Sequence, residues 1–97
     1  MNAEFEISRS RGFVRIRAPR LIDLSIRGPL MDVARRVNEY NSAAWVMDLS
    51  QTTEVRDSGL TALKAVGDIL WSETGASIEM HNAHPEVRAR LESAGLA

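Results

Sequence analysis

Apolar and polar residues alternate at the start of the chain. Phe5 and Ile7 sit among Glu4, Glu6 and Ser8, and Val14 and Ile16 alternate with Phe13, Arg15 and Arg17. A period of two marks a strand with one buried face. Ser10-Arg11-Gly12 between them reads as a turn, so the two strands can form an antiparallel hairpin. Residues 18–28 show no period. From Pro29 the period lengthens. Leu30, Val33, Ala34, Val37 and Tyr40 share one stripe of a helix that ends at Asn41-Ser42, with the proline in the first turn, where its missing N–H is not needed. Ala44-Trp45-Val46-Met47 is a continuous apolar run, the pattern of a buried central strand. A polar segment, 51–57, leads to a second helix striped by Leu60, Leu63, Val66, Gly67 and Leu70 and stopped at Gly75. Residues 76–81 form a fourth strand, with Ile78 and Met80 on one face. Pro85 opens a last helix striped by Val87, Leu91 and Ala94, and Gly95-Leu96 closes it.

Strands alternating with helices imply parallel neighbours joined by right-handed crossovers. The expected fold is an α/β sandwich: a single mixed sheet of four to five strands, opened by an N-terminal hairpin, with three to four helices packed on it. The 97 residues suffice for one domain, 1–97. No apolar run approaches the length of a membrane span, and the acidic start lacks the apolar stretch of a secretory signal. There is no cysteine, which excludes disulfides, thiolate zinc sites and thiol catalysis and fits a cytoplasmic location. A net charge of −1 gives no general reason to bind nucleic acid. Eight arginines nevertheless precede position 37: Arg9, Arg11, Arg15, Arg17, Arg20, Arg27, Arg35 and Arg36. They read as solvated faces or as a basic, partner-facing patch.

The segment from Trp45 to Leu63 carries the chemistry. A buried strand ends at Asp48-Leu49-Ser50, and Ser58-Gly59-Leu60 then opens a helix. Gly59 permits close backbone approach there. Free N–H groups and the helix dipole favour an anion at such an end, so a phosphate on Ser58 is compatible with the fold. It would add a charge of about −1.5 to −2 and repel a docked partner. The plainer reading is that Asp57 or Ser58 is only an N-cap.

The same segment resembles the STAS domain of anti-sigma factor antagonists. That family has an apolar strand ending in Asp-Leu-Ser and, after a short link, Asp-Ser-Ser-Gly-Leu or a close variant opening a helix. Asp48-Leu49-Ser50 matches the first part and Ser58-Gly59-Leu60, with Leu63 one turn on, the second. Gly75-Ala76-Ser77-Ile78 is similar to the glycine before the family's last strand, and the stretch from Asn82 to Leu96 to its last helix. Residues 44–96 carry the resemblance; the first 43 agree in element order only. The resemblance implies a non-enzymatic regulator without a cofactor. Its partners would be an anti-sigma factor or related serine protein kinase, which phosphorylates Ser58, and a serine phosphatase, which resets it. Arg56, Asp57, Ser58, Gly59 and Leu60 would form the partner-binding surface of a monomer or weak dimer that neither binds nucleic acid nor inserts into a membrane. The chain departs from the pattern at Arg56, which stands for the family's Asp, at Asp57, for its first Ser or Thr, and in the early Gly-x-Leu-Asp signature, which reads Ala18-Pro19-Arg20-Leu21-Ile22-Asp23.

Other readings are a STAS subunit of a lipid-transport ABC transporter complex, binding its ATPase without phosphorylation, and a scaffold in a larger stress-sensing assembly. His81 and His84 lack a third ligand for a metal, and nothing orders Ser58, His81 and Asp48 into a triad. Trp45 is expected in the core, and Trp71 is expected to pack against a neighbouring element rather than serve as an exposed anchor.

Overall fold

A computed structural model describes residues 6–10, 13–35 and 44–96. The elements are β1 (Glu6–Ser10), β2 (Phe13–Arg17), β3 (Leu21–Ile22), a 3-10 turn (Leu24–Ile26), α1 (Arg27–Arg35), β4 (Ala44–Asp48), β5 (Glu54–Val55), α2 (Asp57–Thr74), β6 (Ser77–His81) and α3 (Pro85–Ser93). The expected turn at Arg11-Gly12, and the Val37, Tyr40 and Asn41-Ser42 end of the first helix, lie outside the described residues, as does Phe5.

The main sheet has four strands in the order β1-β2-β4-β6. β1 and β2 pair antiparallel as the expected hairpin, while β2–β4 and β4–β6 are parallel. The order advances in one direction, so right-handed crossovers set α1 and α2 on the same face. Register aligns Val14, Trp45 and Ile78 in one row and Ile16, Met47 and Met80 in the next. These rows face the helices, and Val14, Ile16, Trp45 and Met47 are fully buried. Arg15, Val46 and Glu79, then Arg17, Asp48 and His81, form the rows of the opposite face.

The aperiodic segment after β2 is more ordered than its sequence suggests. β3 and β5 are two-residue strands that pair parallel in a small separate sheet. Asp23 caps the 3-10 turn by accepting from the Ser25 N–H at 2.9 Å. α1 therefore starts at Arg27, and Pro29 is its third residue, still in the first turn. Gly75, at φ 72°, ends α2 as expected. The buried stripe of α2 is Ala62, Leu63, Val66 and Leu70, with Gly59 at its start; Leu60 and Gly67, placed in the stripe by periodicity, are only half-buried. Val87 and Leu91 of α3 are buried. Trp45 is in the core, whereas Trp71 is 64% exposed and does not pack against a neighbouring element as expected. No helix among the described residues is long and apolar enough to cross a membrane.

Candidate partner-binding site

The link from β4 to α2 runs along segment 18–22, which ends in β3, and bonds to it from Gln51 to Arg56. Gln51 Nε2 donates to the Ala18 carbonyl at 2.6 Å, and the buried Thr52 hydroxyl to the Pro19 carbonyl at 2.8 Å. The N–H groups of Thr53 and Glu54 both donate to the Arg20 carbonyl. The Arg56 N–H donates to the Ile22 carbonyl at 2.9 Å. Arg56, in extended conformation, is the N-cap residue, but its side chain makes no capping bond and instead donates to Glu54 at 3.0 Å. This corrects the expectation that Asp57 or Ser58 is the cap. They are the first and second residues of the helix, and both are exposed.

Gly59 explains the placement. A Cβ there would fall on the Ile22 carbonyl oxygen and lie 2.7 Å from the Ile22 carbonyl carbon and Cγ2. Only a glycine lets the first turn of α2 rest on β3 at this distance. Ser58 then projects beside the contact, and its hydroxyl bonds nothing among the described residues. The Asp57 side chain is 95% exposed and accepts from Arg90 of α3 at 2.7 Å. Next to this pair, Leu60 lines a groove of about 370 Å³ between α2 and α3 with Ala89, Ser93 and Ala94. Arg56, Asp57 and Ser58 are exposed at this end of α2 and Leu60 is half-buried beside them, while Gly59 is buried against β3. Sequence reasoning missed Arg90, which shares no local pattern with Asp57 and lies 33 positions away.

Asp48 anchors the far end of the link. Burial disfavours its charge, but hydrogen bonds from the Arg15 guanidinium (2.5 Å), the Ser50 N–H (3.0 Å) and the Asn82 amide (3.2 Å) outweigh burial and hold the carboxyl well below the usual range. Asp23 is also lowered, chiefly by the Ser25 hydroxyl and N–H, with Arg56 adding its charge. Arg15, from the basic half of the chain, thus serves Asp48. His81 meets Glu79, and His84 meets the Ser50 carbonyl, so the two histidines do not converge. Among the described residues no His/Cys/Asp/Glu group could hold a metal. Ser58, His81 and Asp48 form no triad: the partners of Asp48 are Arg15, Ser50 and Asn82.

The sequence matches no family model and no curated protein. Solved structures do match. The chain superposes on the anti-sigma factor antagonist SpoIIAA, in its unphosphorylated form, with a TM-score of 0.74 at 18% identity, covering 96% of this chain and 82% of that one. On an anti-sigma factor antagonist from Mycobacterium paratuberculosis the TM-score is 0.71 at 23% identity, covering 98% and 80%. The chain has the STAS fold. The same STAS fold matches part of a longer chain: the structure of Mglu aligns with a TM-score of 0.68 at 14% identity over 82% of this chain, which spans 20% of that one. At these identities the likeness establishes the fold, and the site rests on the geometry above.

Proposed function

We propose that this STAS domain is a cytoplasmic, non-enzymatic regulator of the anti-sigma factor antagonist type, which binds its partner through the start of α2. The observation that carries the reading is Ser58, an exposed hydroxyl at the second position of a helix whose first turn is fixed on β3 by Gly59. The two anti-sigma factor antagonists of the same fold support a protein partner such as an anti-sigma factor; in this reading that partner is also a serine kinase. The kinase transfers the γ-phosphoryl group of ATP to the Ser58 oxygen, which gives up its proton. The phosphate then sits beside the Asp57 carboxylate, and the summed negative charge weakens the complex. A serine phosphatase restores the free hydroxyl. Arg56, Asp57 and Leu60 contribute contacts around Ser58, and Gly59, buried against Ile22, sets their position.

The test is mass spectrometry of the protein from its own host, with partner binding measured for Ser58→Ala and Ser58→Asp. Phosphate on Ser58, with binding retained by the alanine variant and lost by the aspartate variant, is the expected result. No phosphate under several growth conditions, with binding indifferent to Ser58→Asp, would leave a constitutive binding module in which the permanent charge of Asp57 has replaced the switch.

A further inference from the structure

The far edge of the main sheet is β6. β6 pairs with β4 on one side and, among the described residues, with no strand on the other. The bond from the Leu49 N–H to the His81 carbonyl, 2.9 Å, fixes the phase of the strand. Ser77, Glu79 and His81 turn their backbone groups towards β4, so Ile78 and Met80 turn theirs outward. The side chains of Ile78 and Met80 are only half-buried. With Ala83, Leu91 and Leu96 they form the apolar wall of a groove of about 500 Å³. A free edge with apolar side chains is a template for another strand.

We infer that the occupant is a second copy of this chain, paired antiparallel through β6 with Met80 opposite the partner's Met80. Like-charge repulsion in one register and hydrogen-bond complementarity in another select it. Pairing through the outward groups of Ile78 and Met80 leaves three central registers. Centring on Glu79 sets two carboxylates opposite one another at a Cα separation of about 4.5 Å, where like charges repel. Centring on Ile78 sets Glu79 opposite a serine and runs into the left-handed Gly75, φ 72°. Centring on Met80 sets each Glu79 opposite the partner's His81, twice over. Within one chain these groups already match, since His81 Nε2 lies 3.2 Å from Glu79 Oε1. Side chains directly opposite on an antiparallel pair share a face. The Ile78 and Met80 side chains of both copies therefore close the two grooves together. The surface uses none of residues 56–60, so it stands independently of Ser58.

The chain has no cysteine, so engineered ones report the register alone. Glu79→Cys and His81→Cys proteins are oxidised separately and as an equal mixture. A disulfide between position 79 of one copy and 81 of the other, in roughly tenfold excess over either homodimer, is expected, because opposed residues meet disulfide geometry. Met80→Lys should abolish that cross-link while the circular dichroism of the fold is retained. A dominant homodimer of the Glu79→Cys protein would overturn the register. Cross-linking that survives Met80→Lys, or monomers by sedimentation at about 1 mM with no cross-link, would overturn the pairing.

Discussion

Two glycines in the same helix should respond to alanine with opposite signs. At Gly59 the added methyl meets backbone: the Ile22 carbonyl oxygen, with the carbonyl carbon and Cγ2 at 2.7 Å. None of these three atoms is the far end of a flexible side chain, so β3 and the start of α2 must separate. Overpacking of this kind costs about 1–3 kcal/mol, and a backbone contact belongs at the upper end. Separation also stretches the 2.9 Å bond from the Arg56 N–H to the Ile22 carbonyl, worth about 1 kcal/mol. Alanine's helix preference returns at most about 1 kcal/mol, less in a first turn. Gly59→Ala should therefore lose about 2–3 kcal/mol, which lowers Tm by roughly 10–20 °C in a domain of this size. A Cβ on Gly67, in the middle of α2, meets nothing within 4 Å. Gly67→Ala should gain about 0.5–1 kcal/mol, a rise of a few degrees. Thermal and urea unfolding followed by circular dichroism measures both. If Gly59→Ala were as stable as the parent, or if both variants moved in the same direction, the close approach of α2 to β3 would be wrong.

Asp48 should make the fold acid-sensitive. Its folded pKa lies below the unfolded value of about 3.9, so its stabilisation is complete above that value and is lost as pH falls towards the folded one. The urea midpoint should decline below about pH 4, with a shallower decline in Asp48→Asn. At pH 7, Asp48→Ala should cost about 2–3 kcal/mol in urea unfolding, below the usual loss for a buried pair because Arg15 is half-exposed and can rehydrate. Arg90→Ala removes an ion pair whose acidic member is almost fully exposed, so Tm should move by less than about 4 °C, while partner affinity, read by calorimetry, should change because Asp57 loses its counter-charge. Trp45 Nε1 is buried without a hydrogen-bond partner among the described residues. Trp45→Phe should relieve about 1–3 kcal/mol of that penalty and so cost far less than the roughly 3–5 kcal/mol typical of truncating a buried aromatic residue to alanine, as judged by urea unfolding.

Periodicity recovered the elements that bury a full face. The strand pairs around Val14–Ile16 and Trp45–Met47 and the stripes of α2 and α3 depend on alternation that the core itself enforces. β3 and β5 were not legible, because two residues cannot show a period and their pairing is fixed by distant backbone bonds such as Arg56 N–H to Ile22 C=O. Leu60 and Gly67 were placed in the core because the stripe was read from residue type. The helix instead turns Gly59 inward where β3 comes close, and buries Ala62 in the core. Trp71 illustrates the same limit from the other side: a large apolar residue near a buried stripe remains exposed when none of the described elements crosses over it. At the candidate site the motif located residues 56–60. The partner of Asp57 comes from another helix, and no spacing rule connects residues 33 positions apart.

The arrangement also decides what kind of switch the end of α2 can be. Every residue from Gln51 to Glu54, and then Arg56, bonds to segment 18–22 through a backbone or side-chain group. Asp48 ties the start of that link to β2 and to the turn after β6. Moving the first turn of α2 would break several of these bonds at about 1 kcal/mol each, together with the Gly59 contact. A phosphate at an exposed helix start acts with only about 0.3–1 kcal/mol through the dipole, and in the favourable direction. The local framework would therefore outweigh the perturbation, and a form phosphorylated at Ser58 would keep the backbone of the free one. A partner binding at this surface, as proposed, would have to distinguish the two forms by charge and by the water it displaces, on a platform whose shape stays fixed.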